Sequence, residues 1–168
     1  SAANAYSSAM FYMITYVVTT LGTFGLIMLM ARPGFESEEI SDFAGLNQRS
    51  PQLAAIMGIF MFSLAGIPPT VGFYAKLSVL QALISTNDTF YLVLAIFAVV
   101  LSLIGAFYYL RIVKVMYFDK ATDTQPIVAE GGARAVLSLN GAAVLVLGIL
   151  PGGLMAMCAQ AIVKALAT

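Results

Sequence analysis

The sequence predicts an all-α fold: a polytopic transmembrane helical bundle of four spans, one of them a broken helix. Three observations predict it. Hydrophobic residues make up 61% of the chain and charged residues only 10%, against about 25% charged in a soluble domain; mean hydropathy is +0.94. The charged residues fall mostly between long apolar runs. One such run, Pro51 to Asn87, is interrupted by Gly66-Ile67-Pro68-Pro69 and contains a single charge, Lys76. The formal net charge of zero is uninformative about partners; the lipid bilayer is the partner this composition implies, and no nucleic acid is expected.

The first span is read from about residue 6 to 30, with Gly22 and Gly25 permitting close helix contact. Arg32, Pro33 and Gly34 stop it. The following loop carries Glu36, Glu38, Glu39 and Asp42, with Ile40, Phe43 and Leu46 spaced three apart. That spacing predicts a short amphipathic helix at the membrane surface. Its acidic residues read as a solvated face rather than a metal site.

The second span, about 51 to 86, is too long for one straight crossing. Unbroken it would measure about 54 Å against a hydrocarbon core of about 30 Å. Each proline removes a backbone donor and disfavours helix in the residue before it, so two half-helices joined by an unwound stretch are expected at Gly66, Ile67, Pro68 and Pro69. Such a break is tolerated at membrane depth only where protein or a water-filled cavity covers the freed carbonyls. Broken helices beside an ionisable group recur in transporters, although prolines alone also make simple kinks. Lys76 stands about two turns beyond the prolines, and its ammonium costs roughly 2.5–3.5 kcal/mol on insertion scales. It lies about 15 Å from the end of its span near Thr86, a distance that a lysine stem covers only in part. A functional, ion-handling role is the reading taken for Lys76; a structural ion pair is the bland alternative.

A third span, about 90 to 115, ends in Tyr108-Tyr109-Leu110-Arg111-Ile112-Val113-Lys114. Tyrosines followed by cations suit an interfacial anchor, and a conduction role for either tyrosine stays open beside it. The loop from Tyr117 to Arg134 is polar, and a fourth span runs from about 133 to 150. Asn140 within it is expected to make an interhelical hydrogen bond. After Pro151-Gly152-Gly153, the tail through Leu154, Ile162, Lys164 and Leu166 is expected to be a short surface helix.

Absences narrow the chemistry. Without histidine there is neither a His-ligated metal nor a His general base. A single cysteine, Cys158, excludes an intrachain disulfide or a cysteine-ligated cluster and reads as a small packing residue. No metal and no cofactor are therefore expected on this chain. The chain lacks a basic n-region and an initiator methionine, and Ser1 opens almost directly on an apolar segment. Residues 1–168 are accordingly read as one membrane domain within a longer polypeptide. Arg32, Arg49, Arg111, Lys114, Lys120 and Arg134 flank the two longer loops, against Lys164 alone on the opposite side. By the positive-inside rule the loops near 31–50 and 116–134 are cytoplasmic.

Two strings carry a family resemblance. Asp42-Phe43-Ala44-Gly45-Leu46-Asn47-Gln48-Arg49-Ser50-Pro51, followed by Ser63-Leu64-Ala65-Gly66-Ile67-Pro68-Pro69-Thr70-Val71-Gly72-Phe73-Tyr74-Ala75-Lys76, closely resembles the antiporter-like subunits of respiratory complex I, the bacterial NADH-quinone oxidoreductase. The apolar opening from Ala5 to Tyr16 and the Tyr108–Arg111 string fit the same pattern. The resemblance implies a full subunit of fourteen membrane helices with two inverted five-helix repeats, these spans being the last four. Lys76 then matches the ionisable residue of the second broken helix, and Pro68 and Pro69 its break. The family's glutamate and lysines on earlier helices have no counterpart here, so this stretch alone is not a complete proton pathway.

The implied function is proton translocation in a multi-pass subunit of the bacterial inner membrane, beside other membrane subunits of complex I, with quinone bound elsewhere in the assembly. The enzyme is NADH:quinone oxidoreductase, and this chain carries no redox centre. A buried amine can alternate between protonated and neutral forms, which suits Lys76 to a relay. Two rivals stand beside this reading: a subunit of a multisubunit sodium/proton antiporter, which shares the broken-helix lysine, and a scaffold segment whose Lys76 pairs with a carboxylate.

Overall fold

A computed structural model describes residues 2–31 and 36–167. The described residues form helices and connecting segments, with no strand: α1 (Ala2–Met30), α2 (Leu46–Arg49), α3 (Pro51–Ala65), α4 (Val71–Ile84), α5 (Thr89–Phe118), α6 (Gly131–Ile149) and α7 (Gly152–Leu166). Helices α1, α5 and α6 are each long and apolar enough to cross a membrane. Arg32, Pro33 and Gly34, read from the sequence as the stop of the first span, lie outside the described residues.

The first helix is at the centre of the packing, against α3, α4, α6 and α7, while α5 lies chiefly on α3. Its polarity is the reverse of a soluble helix. Ser8, Phe11, Thr15, Thr19, Gly22 and Leu26 form one buried stripe, whereas Met13, Leu21, Phe24 and Met28 are exposed. The inward hydroxyls are satisfied by the helix itself, Thr19 Oγ1 donating to the Thr15 carbonyl and Thr23 Oγ1 to that of Thr19, each at 2.8 Å. With hydrocarbon outside, small and hydroxylated residues are the ones that let helices approach. Gly22 shows why: the Phe60 ring of α3 occupies the space that a Cβ there would need.

The loop after α1 differs from the amphipathic helix its spacing suggests. A 3₁₀ turn spans Ile40–Phe43 and a single α-turn spans Leu46–Arg49. Gly45 separates them in the left-handed region at φ +64°, its missing Cβ leaving room for the Ala121 backbone. Its N–H donates to the Val115 carbonyl at 3.2 Å, which ties the segment to the end of α5. Phe43 and Leu46 are buried against the bundle, not laid out toward lipid. Two of the acidic residues cap the turn, the Glu39 N–H donating to Asp42 Oδ2 at 3.0 Å. Glu38 stays in solvent, where a hydrogen bond with the Glu36 carboxylate, and then its charge, holds the carboxyl above the usual range.

The two longer loops meet at one end of the bundle. Arg49 donates to the Gln125 carbonyl through Nε at 3.2 Å and Nη2 at 2.9 Å, and pairs with Asp123 at 3.4 Å. The tail forms a short, mostly exposed helix: α7 packs on α1 with Cys158 as its one buried residue among those described. Asn140 does not make the interhelical hydrogen bond expected of it, because its Oδ1 is buried without a partner among the described residues. The polar link between α3 and α6 is instead Gln52 Nε2 donating to Ser138 Oγ at 3.1 Å.

Candidate functional site: an ammonium at a helix break

The interruption between α3 and α4 is built residue by residue. Gly66 takes the left-handed conformation at φ +82°, and its N–H donates to the Ser63 carbonyl at 3.1 Å while that of Ile67 reaches back to Phe62 at 2.9 Å. This pairing is a Schellman closure, which glycine accepts without strain. Pro68 and Pro69 follow, and Thr70 leads into α4 with its Oγ1 donating to the Ile67 carbonyl at 2.7 Å.

Helical geometry says which carbonyl this leaves open. In an unbroken helix the Leu64 carbonyl would accept from residue 68, and a proline there has no N–H to give. Lys76 takes that place: its Nζ donates to the Leu64 carbonyl at 2.8 Å and to Ser102 Oγ of α5 at 2.8 Å. Gly66 makes the approach possible, since a Cβ there would lie 2.9 Å from Lys76 Cδ and 3.2 Å from Nζ. The break and the lysine are thus one site.

The neighbouring backbone groups are also accounted for. At the start of α4 the Gly72 N–H donates to Ser63 Oγ at 3.1 Å, satisfying one of the donors that a helix N-terminus leaves orphaned. Gly72 sits so close to the Ser63 carbonyl that no Cβ would fit, and Gly148 of α6 lies equally close to the Pro69 carbonyl. A second helix therefore covers the unwound stretch, as irregular backbone in hydrocarbon requires.

Lys76 opens into a cavity of about 650 Å³ whose polar lining is Tyr12, Thr15, Tyr16 and Thr19 of α1, Ser63 of α3, and Ser102 and Tyr109 of α5. The tyrosine pair read together in the sequence is divided here: Tyr109 faces the cavity and Tyr108 is exposed. Sequence reasoning missed Ser102 and the Leu64 carbonyl. Ser102 had a signal, being the lone hydroxyl between Tyr91 and Tyr108; a backbone acceptor has none.

A polytopic helical bundle with an ammonium seated on a broken helix is the architecture of an antiporter-like membrane subunit. The family described as NADH:quinone oxidoreductase/Mrp antiporter, TM, matches residues 1–105, and the chain belongs to it. Subunit N of the NADH-quinone oxidoreductase of Polaromonas naphthalenivorans is 64% identical over 95% of this chain and 32% of its own length. The same subunit of Herminiimonas arsenicoxydans is 60% identical over 100% of this chain and 33% of its own. The chain thus spans about a third of the length of these curated relatives.

Among solved structures, respiratory complex I from Thermus thermophilus with bound aureothin matches at a TM-score of 0.73 and 27% identity, over 89% of this chain and 34% of that one. The Mrp complex from Dietzia sp. DQ12-45-1b matches at 0.75 over 94% of this chain and 37% of that one. At 19% identity it shows the fold alone.

Proposed function

We propose that this chain is the C-terminal third of a subunit N of bacterial NADH-quinone oxidoreductase, and that Lys76 is a proton-relay site in it. The observation that carries the reading is the seating of the Lys76 ammonium between the Leu64 carbonyl and the Ser102 hydroxyl. Both partners are neutral. A carboxylate would hold the charge in place by Coulomb attraction that grows in a low dielectric, whereas a carbonyl and a hydroxyl stabilise the ammonium by hydrogen bonds and leave its proton exchangeable with water in the cavity. These contacts favour a relay over the scaffold reading of Lys76. Sequence identity of 60% and above to subunit N favours complex I over a sodium/proton antiporter subunit.

In this reading the chain sits in the bacterial inner membrane beside other membrane subunits, and quinone reduction elsewhere in the assembly drives the protonation cycle. The loops that meet at Arg49 and Asp123 face the cytoplasm. Cysteines at Glu38 and Lys120 should then label from the cytoplasm and one at Asn87 from the other side; labelling of Asn87 from the cytoplasm refutes the orientation. The relay is tested with Lys76→Ala and Lys76→Arg in the intact complex, following NADH-driven proton pumping in membrane vesicles with assembly checked separately. Arginine keeps the charge but does not release its proton. Both variants should pump poorly while assembling, and normal pumping by both would overturn the relay.

A further inference from the structure

The hydroxyls around Lys76 are not equivalent. Thr15 Oγ1 donates to the Tyr12 carbonyl at 3.0 Å and Thr19 Oγ1 to the Thr15 carbonyl at 2.8 Å, so their protons are held by the α1 backbone. Ser63 Oγ accepts the Gly72 N–H and stands 3.5 Å from Thr19 Oγ1, and the Lys76 ammonium donates to the Leu64 carbonyl and to Ser102 rather than to it. Ser102 differs. Its Oγ accepts from Lys76 Nζ at 2.8 Å, and among the described residues no acceptor holds its own proton.

The face of α5 that carries Ser102 continues the arrangement. Gly105 and Tyr109 follow at i+3 and i+7, which places all three on one side of the helix, and all three line the cavity. Tyr109 lies back over Gly105, its Cε2 being 3.8 Å from where a Cβ would stand. With no side chain at 105, the Tyr109 ring packs over that position on the same face as Ser102.

We propose that Ser102 is the hydroxyl through which Lys76 exchanges its proton, with Tyr109 next along the same face and cavity water between them; this rests on the reading of Lys76 as a relay. In the step, an N–H bond of the Lys76 ammonium breaks and an O–H bond forms at Ser102 Oγ. The proton that Ser102 carried passes to a water oxygen on the side of Tyr109. The amine is left neutral, Ser102 is restored, and one excess proton leaves on water. The reverse sequence reloads the amine. A hydroxyl serves because it accepts and donates at once, and no redox partner is involved.

The test uses the assembled complex in membrane vesicles with NADH as donor, and Lys76→Ala as reference. Ser102→Ala should lower proton pumping about a hundredfold, at the low end of what a positioned proton-transfer group contributes. It should also shift the pH dependence of pumping; the titratable groups facing Lys76 in the cavity are Tyr12 and Tyr16 from α1 and Tyr109 from α5. Ser102→Thr, which keeps the hydroxyl, should restore most of the rate, and Tyr109→Phe should slow pumping less than Ser102→Ala. If the alanine variant assembles poorly, Ser102→Thr against Ser102→Val makes the same comparison between isosteres. Unchanged rate and pH profile in Ser102→Ala, where Lys76→Ala has lost pumping, would overturn the route and leave the role of Lys76 standing. Unchanged pumping in Lys76→Ala would overturn both.

Discussion

Two cations, at two places in this bundle, are held in opposite ways. Arg49, where the long loops meet, is locked by the carboxylate of Asp123 and by two hydrogen bonds to one backbone carbonyl. Lys76, at the helix break, is held among the described residues by a carbonyl and a hydroxyl. The chemistry of the side chains matches the difference. A guanidinium is always protonated and its planar fork suits a fixed, multi-donor clamp; an ammonium is a point charge whose proton can be given up. One cation fastens two loops, and the other, in the proposed function, is the one that gives up a proton.

Exchanging the side chains is the sharpest way to break this comparison. Lys76→Arg should assemble and yet lose most of its proton pumping, the largest effect expected. An arginine there that pumps normally would remove the distinction between the sites.

Next in size is Gly66→Ala. The left-handed backbone costs a Cβ-bearing residue about 1–2 kcal/mol, and the new methyl would sit against Lys76 Cδ. Pumping should fall together with assembly, and the comparison sharpens if the pumping rate per assembled complex also drops. An unaffected rate would show that the lysine does not need its seat under the break.

Arg49→Ala should act on stability alone. Removing one partner of a buried pair costs about 3–5 kcal/mol, and the partly exposed Asp123 lowers the expected loss to about 2 kcal/mol. The midpoint of thermal dissociation should fall while the pumping rate per assembled complex is kept. A specific loss of pumping would make Arg49 functional after all. Asn140→Leu should have the smallest effect, within about 0.5 kcal/mol of neutral or slightly stabilising, because Oδ1 is buried without a partner among the described residues and replacing an unpaired polar group by an apolar one of similar size removes a penalty. A large destabilisation would reveal a partner for Asn140 beyond the described residues.

The sequence by itself determined the fold class and the setting. Apolar composition and the length of the charge-free runs dictate a membrane-spanning helical bundle, because backbone groups in hydrocarbon must be satisfied within the helix. Two residue types also announced themselves: prolines that cannot donate, and one ammonium in an uncharged run. What the tertiary structure alone decided is which groups meet them. The Leu64 carbonyl is a backbone atom with no signature in the sequence, and Ser102 lies 26 residues from Lys76 on a helix whose facing depends on how α5 packs against α3 and α4. The loops show the same limit. Spacing at Ile40, Phe43 and Leu46 suggested a continuous helix, but Gly45 had to turn left-handed to receive Ala121, and only the docking of the second loop imposes that. Local chemistry fixes where a chain spans and where it breaks; the partners of a buried charge are fixed by packing between segments far apart in sequence.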